Sequence, residues 1–324
     1  MQGYAAALAY SAASQKLFAL VTNDTKGYCP CSVAVIDAAT DTVTATVGIT
    51  DINLVTAGSI AVDDANGRVM VGGGGPMNAS PAMLAIDQTT LKPSAAWPIS
   101  KVCGAKLTGL AVDKTGKKVF GACSGGAVGI IDESTQSVFA TATPGNSPGG
   151  QSFAVDEAAG AVYELTYNGA TTVKALKMAD LSALPPPPPF SISGTGAQVV
   201  AWKGIPLVLS RELTQYQSYL NDNMLQKGLI GTTLVRVGDG TARILGGQQS
   251  AAGGGNVEVI WWDVVVDPKG NVGAATMPTT IPVTSSGAGP VGAIVGSAND
   301  VYFTLGDLAG GLVDKNVYRT TPMP

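Results

Sequence analysis

Residues 32–48, SVAVIDAATDTVTATVG, form an alternating apolar run, a polar break from Asp37 to Asp41, and a second alternating run. Period-two alternation of Val, Ile and Thr around a short polar break predicts two antiparallel strands joined by a tight turn. Whether this is a lone hairpin or one copy of a repeat decides the fold. The pattern recurs as AVGIIDESTQSVFATATPG (residues 127–145) and, more loosely, as AMLAIDQTTLKPSAAWPIS (82–100). Each copy directly follows another recurrent hairpin: LAYSAASQKLFALV (8–21), IAVDDANGRVMVGG (60–73) and LAVDKTGKKVFGAC (110–123), with a further copy FAVDEAAGAVYELT at 153–166. These place Phe18, Met70, Phe120 and Tyr163 in one column. Looser copies are VVAWKGIPLVLS (199–210), a shortened VVVDPKGNVGAAT (264–276), and GAIVGSANDVYFTL (292–305), which puts Tyr302 in that column.

Two successive hairpins repeating every roughly 40–50 residues match the blade of a β-propeller. The expected class is all-β, a propeller of four-stranded antiparallel blades. Seven units are counted, one of them abbreviated, with six regular blades as the alternative. We expect a single domain over residues 1–324. It carries an insertion at about 214–228, TQYQSYLNDNMLQKG, and a proline-rich connector between blades at 185–189. The last unit, continued by NVYRTT, supplies three strands, and MQGY is too short for a full outer strand. The closing blade is therefore expected to be one strand short. Its edge would be covered by a neighbouring subunit, by a removed N-terminal segment, or by MQGY as a stub.

Composition narrows the function. Charged residues are 13% of the chain, about half the usual share, against 42 glycines. A net charge of −4 with scattered Lys and Arg argues against nucleic acid or an anionic membrane surface as partner. No apolar run approaches the roughly 20 residues of a membrane-spanning helix. MQGYAAALAYSAASQ lacks a basic segment before an apolar core, so a secreted protein would be a processed or trimmed form.

Three segments carry a resemblance: LVTN (20–23), VAVIDAATDTVTATV (33–47) and PGNSPGGQSFAVD (144–156). With them the chain resembles the YVTN-type propellers of surface-layer and secreted proteins, within the broad lactonase-like propeller group. The resemblance implies architecture more than chemistry. Lactonase-like relatives hold a divalent ion with Glu, Asn and Asp projecting into the central channel. Here the expected innermost strands read LAY, IAV, LAV and FAV, with no acid aimed at the axis, so no metal and no cofactor are expected.

The chain contains no histidine, which removes imidazole acid–base catalysis, Ser-His-Asp triads and imidazole metal ligands. No catalytic residue is assigned. Asp63, Asp113, Asp156 and Asp267, and Asp37, Asp87 and Asp132 in the second hairpins, read as turn residues bonded to backbone rather than as a ring of carboxylates. Glu212 with Glu258, or either with Asp222, could pair only if the fold joins them. VMVGGGGPMN and AAGGGNVE lack the Lys-Ser/Thr of a phosphate loop and read as loops. Trp261 and Trp262 read as packing residues, with a sugar-stacking platform as the alternative.

The four cysteines, Cys29, Cys31, Cys103 and Cys123, are expected on one rim. Cys103 with Cys123, in one blade, is the first disulfide expected; Cys29 with Cys31 is then the pair left. Reduced thiols, or a Cys-Pro-Cys metal site, are the alternatives. Asn23 in NDT and Asn78 in NAS are N-glycosylation sequons. The run Pro185, Pro186, Pro187, Pro188 and Pro189 must form an exposed polyproline II segment, either a stiff connector or a site of hydroxyproline-linked sugars. The expectation is a secreted or cell-surface structural or binding propeller carrying covalent glycans and associating with itself or another extracellular protein. A propeller-type lactonase or hydrolase with a rim active site, and a lectin-like propeller, are the alternatives.

Overall fold

The computed structural model describes residues 3–23, 25, 29–50, 56–74, 81–104, 106–143, 145, 153–167, 170–185, 191–192, 198–210, 215–217, 222–224, 230–249, 256–269, 273, 279–286, 289–296, 300–306 and 315–320. Among them every regular element is a strand, and no helix long and apolar enough to cross a membrane occurs. The strands form seven antiparallel sheets in which each strand pairs with its neighbour in sequence.

Sheet 1 contains β1 (Tyr4–Ser11), β2 (Lys16–Thr22), β3 (Cys31–Asp37) and β4 (Thr42–Ile49); sheet 2 contains β5 (Thr56–Asp63), β6 (Arg68–Gly74), β7 (Ala82–Asp87) and β8 (Trp97–Pro98). Sheet 3 contains β9 (Leu107–Val112), β10 (Lys118–Cys123), β11 (Val128–Asp132) and β12 (Ser137–Ala142). Sheet 4 contains β13 (Phe153–Asp156), β14 (Ala161–Tyr167), β15 (Thr171–Lys177) and β16 (Ser191–Ile192); sheet 5 contains β17 (Gln198–Trp202), β18 (Ile205–Ser210), β19 (Gln215–Gln217) and β20 (Asp222–Met224). Sheet 6 contains β21 (Ile230–Gly238), β22 (Thr241–Gln249), β23 (Asn256–Val265) and β24 (Thr279–Ser286); sheet 7 contains β25 (Gly289–Val295), β26 (Val301–Gly306) and β27 (Tyr318–Thr320).

The chain divides into two compact units, Met1–Ser147 with Gly296–Ala298, and Pro148–Val295 with Asn299–Pro324. In the first, Phe18, Leu20 and Val35 of sheet 1 pack on Val69, Val71 and Ile86 of sheet 2. The opposite face of sheet 2 presents Met70, Met83 and Trp97 to Leu107, Val119 and Ile131 of sheet 3. In the second, sheets 4 and 5 share Tyr163, Leu165, Val199 and Val208; sheets 5 and 6 share Trp202, Leu207, Ile244 and Trp262; sheets 6 and 7 share Leu245, Trp261 and Phe303.

A strand with a neighbouring sheet on each side must be apolar on both faces, which is why β6, between sheets 1 and 3, reads RVMVGGG and is buried nearly along its length. Burying each Leu, Ile, Phe or Met contributes about 1.5–3 kcal/mol. The recurrent column holds in register: Ala9 faces Phe18, Ala61 Met70, Ala111 Phe120, Ala154 Tyr163 and Ile294 Tyr302. The first turn of each of sheets 1 to 6 closes on a left-handed residue, Gln15, Gly67, Gly116, Gly160, Gly204 and Gly240 in turn, the conformation that glycine enters without steric cost.

Two sequence expectations are corrected. The sixth sheet opens at Ile230, with β21 and β22 joined at Asp239–Gly240, whereas VVVD at 264–267 ends its third strand and opens no unit. Within the stretch read as an insertion at about 214–228, Gln215–Gln217 and Asp222–Met224 instead form β19 and β20 of sheet 5. Seven sheets occur among the described residues, one missed hairpin standing in place of one misplaced one. The glycines of VMVGGGG are also partly strand, since Gly72, Gly73 and Gly74 belong to β6. Gly58, at the bulge between Ala57 and Ser59, shows why glycine is needed there: a Cβ would lie 2.6 Å from the Gly72 carbonyl oxygen, 2.7 Å from Gly73 Cα, and against the Leu107 carbonyl.

Candidate functional site

The second-hairpin aspartates do what short turns need. Asp37 accepts from the backbone N–H groups of Ala39 and Thr40 at 2.9 and 3.0 Å, and Asp87 from Thr89 and Thr90 at 3.0 and 2.7 Å. Asp132 accepts from Thr135 N at 3.0 Å. These donors hold the three carboxyls below the usual range, led by the Thr40 N–H at Asp37, the Thr90 N–H at Asp87 and the Ser134 hydroxyl at Asp132.

The residue after the aspartate reaches the neighbouring sheet. Glu133 points from the end of β11 toward the first turn of sheet 2 and is 5% exposed. Arg68 Nη1 donates to its Oε1 at 2.9 Å, and Asn66 Nδ2 lies 2.8 Å from its Oε2. Asn66 Nδ2 is also 2.9 Å from Asp63 Oδ2 and 2.7 Å from the Gly116 carbonyl, while its backbone N–H donates to Asp63 Oδ1 at 3.1 Å. Gly116 has φ +65°, and a Cβ there would come within 2.6 Å of Asp63 Oδ1. Burial first, then the hydrogen-bonded Asp63 carboxylate, push Glu133 up to about 7 against the opposing pull of Arg68.

Asn66, Arg68, Gly116, Lys117, Asp132 and Glu133 line a cavity of about 510 Å³ between sheets 2 and 3. That volume suits a small polar ligand. A carboxyl that titrates near neutrality beside a guanidinium can exchange a proton there. Among the described residues no group of three or more Asp, Glu or Cys converges as a metal site.

The same position joins sheets 1 and 2 without a charge. Gln88 follows Asp87 as Glu133 follows Asp132. Ser14 Oγ donates to Gln88 Oε1 at 3.1 Å, and Ser11 Oγ donates to Asp64 Oδ1 at 2.5 Å. In the second unit Asp156, 1% exposed, accepts from Gly204 N at 2.7 Å, tying sheet 4 to sheet 5. Arg243 makes a two-pronged pair with Asp263 at 2.7 and 2.9 Å, donates to Thr320 Oγ1 of sheet 7 at 3.1 Å, and stacks over Trp261 at 3.9 Å. Asp63 and Asp156 are therefore turn residues that also hold neighbouring sheets. Sequence reading missed that second role, and missed Glu133. The one available signal was the recurring slot after the third-strand aspartate, filled by Ala38, Gln88 and Glu133.

Cys29 is disulfide-bonded to Cys31 and Cys103 to Cys123, with Cα separations of 4.4 and 5.5 Å. Cys103 and Cys123 are buried, as is Cys31, whereas Cys29 is partly exposed. Asn23 and Thr25 of the first sequon are exposed after β2, and Pro185 is exposed. Asn78, Pro186, Pro187, Pro188 and Pro189 lie outside the described residues, as does Glu212. Trp261 and Trp262, 1% and 7% exposed, sit in the cores that sheet 6 forms on its two faces. A sugar platform needs an open ring face, so the stacking alternative for these two rings is set aside in favour of packing.

A second unexpected acid is Glu164, fully buried in β14 with both carboxyl oxygens lacking a hydrogen-bond partner among the described residues. Burial alone pushes it up to about 8.

No family model matches this chain, and no curated protein matches it. Among solved structures it is similar to a chain described as Kuenenia stuttgartiensis hydrazine synthase, at 12% identity and a TM-score of 0.53, over 93% of this chain and 74% of that one. At that identity the likeness speaks to fold alone. Together with the small antiparallel sheets it fits a propeller-like fold.

Proposed function

We propose that this chain is a secreted or cell-surface module, built as a seven-bladed β-propeller of the YVTN type, glycosylated, and structural or binding in role within an extracellular assembly. The observation that carries this reading is the pairing of all four cysteines into two disulfides, which suits an oxidising compartment. Seven sheets in chain order suit blades, and the three strands that sheet 7 has among the described residues suit a closing blade one strand short. Sugars on Asn23, Asn78 and Pro185 to Pro189 would offset a surface poor in charge. The buried polar groups at the sheet junctions serve cohesion, which a scaffold needs.

Peptide mapping of material from the native source, with and without reductant, tests the reading. The expected result is no alkylated thiol without reductant, and hexose or pentose mass on peptides carrying Asn23, Asn78 or the proline run. Two or more labelled thiols in the folded, unreduced protein would overturn the compartment; unmodified peptides would overturn the glycan coat.

Glu133 favours a second reading, a rim hydrolase of the lactonase-like group, because a carboxyl titrating near 7 in a cavity of about 510 Å³ is suited to general acid–base work. A panel of lactone and ester substrates decides it. Hydrolysis by the wild type that folded Glu133→Gln loses supports the enzyme, and equal rates in both set it aside.

A further inference from the structure

The two disulfides differ in what they hold together. Cys103 precedes β9 and Cys123 ends β10, so their bond spans a separation of 20 residues, and both cysteines are buried in the core that sheets 2 and 3 share. A cross-link over that length restrains the unfolded chain and so supports the fold. Cys29 and Cys31 stand two apart, with Pro30 alone between them. So small a ring removes little freedom from the unfolded chain. Breaking it therefore costs the fold little, and the pair can open while sheet 1 stays folded.

The short pair is also asymmetric. Cys31 is the first residue of β3, 4% exposed, paired opposite Ile49 and set in the core of sheets 1 and 2. Cys29 lies ahead of the strand and is partly exposed, beside an exposed Pro30. One cysteine is held by the sheet, and the other is open to an incoming group. The pyrrolidine ring of Pro30 fixes one backbone torsion between them, which limits how far the two thiols separate once reduced. An accessible cysteine beside a fixed resolving cysteine is the arrangement that redox cysteines use, and exposed disulfides are the ones that exchange.

We propose that Cys29–Cys31 is a thiol–disulfide exchange site at which each chain oxidises one substrate dithiol. Chemistry selects the co-reactant, because disulfides exchange by attack of a thiolate on sulfur. The substrate thiolate attacks Cys29 Sγ, the bond between the two Sγ atoms breaks, and Cys31 leaves as a thiolate that takes up a proton. The second substrate thiolate then attacks the substrate sulfur of the mixed disulfide and releases Cys29, which is protonated in turn. Two electrons and two protons pass to the chain, and the substrate leaves as a disulfide. Cys103–Cys123, buried on both sides, takes no part. The inference depends on the cysteine pairing alone and on neither the glycans nor the assembly proposed above.

The test mixes the full oxidised chain with a reduced synthetic peptide carrying two cysteines, near neutral pH. Samples are quenched in acid, alkylated and mapped by mass spectrometry, while circular dichroism follows the fold. The expected result is that Cys29 and Cys31 become alkylatable at least about tenfold faster than Cys103 and Cys123, that peptide disulfide forms in equal amount, and that the dichroism spectrum is unchanged. Peptide that stays reduced, two disulfides that open at one rate, or opening only with loss of the folded spectrum overturns the proposal. Single variants then locate the point of entry. With oxidised glutathione, Cys31→Ser should gain a lasting adduct on Cys29, because no resolving thiol remains, and Cys29→Ser should react at Cys31 at least about tenfold more slowly because that thiol is buried. Equal reactivity of the two folded variants overturns Cys29 as the entry point, and where either fails to fold the wild-type measurement decides alone.

Discussion

Glu164 offers the sharpest quantitative prediction. Alternation along β14 puts Tyr163 and Leu165 in the core shared with sheet 5 and turns Glu164 to the other face of sheet 4, beside Val162 and Thr166. There its two oxygens find no partner among the described residues, and its carboxyl titrates at about 8 instead of the ordinary 4.5. The folded chain keeps this proton over a range in which the unfolded chain has released it. Stability therefore falls as pH rises from about 4.5 to about 8 and is flat in this group outside that window. At about 1.4 kcal/mol per pH unit the full loss is on the order of 5 kcal/mol, and about 3 kcal/mol of it has been incurred by pH 7. Glu164→Gln keeps the shape and removes the ionisation. Melting temperatures of both proteins across pH 5 to 8 read the effect. At pH 5 they should nearly coincide, and at pH 8 the variant should melt higher by roughly 10 °C, taking about 2–4 °C per kcal/mol for a unit of this size. Parallel pH profiles in the two proteins would refute the reasoning, because they would mean that Glu164 ionises in the folded state as easily as in the unfolded one.

Glu133→Ala should lower stability by about 1–3 kcal/mol, measured by urea unfolding, because Asn66 and Arg68 lose an acceptor beside the buried Asp63. Glu133→Gln, which copies the Gln88 junction, should cost less and should flatten the decline in stability that the wild type shows between about pH 4.5 and 7. Gly58→Ala should lower the melting temperature and the yield of folded protein, since the atoms its Cβ would meet are backbone of β6 and β9 that cannot swing aside. Under graded reductant, mass spectrometry after alkylation should show Cys29 and Cys31 labelled before Cys103 and Cys123, because Cys29 is the most accessible of the four while the other pair is buried on both sides.

Local chemistry makes the hairpins legible. Strand period, turn aspartates and left-handed glycines act within about ten residues, so residue type and spacing suffice to align the column of Phe18, Met70, Phe120, Tyr163 and Tyr302, which keeps its register in the sheets. The sixth sheet escapes such reading for the same reason. VVVD looks like the opening strand of a unit because Val264 and Val266 are buried while Val265 is exposed, an alternation that the end of a third strand shares with a first strand. In sheet 5 the strands β19 and β20 are only three residues long, too short for alternation to show.

What the amino-acid sequence determined by itself is the repeat, the strand and turn chemistry, and the exclusion of histidine-based catalysis, all properties of residue type and short spacing. The tertiary structure alone decided which acids matter. Glu133 meets Asn66 and Arg68 across 67 and 65 residues of chain, and Glu164, the one glutamate of AVYELTY, looks like any other glutamate of the chain until its sheet is buried. A carboxyl's proton affinity depends on how much water and which charges surround it, and those surroundings are assembled from distant segments that no local pattern encodes.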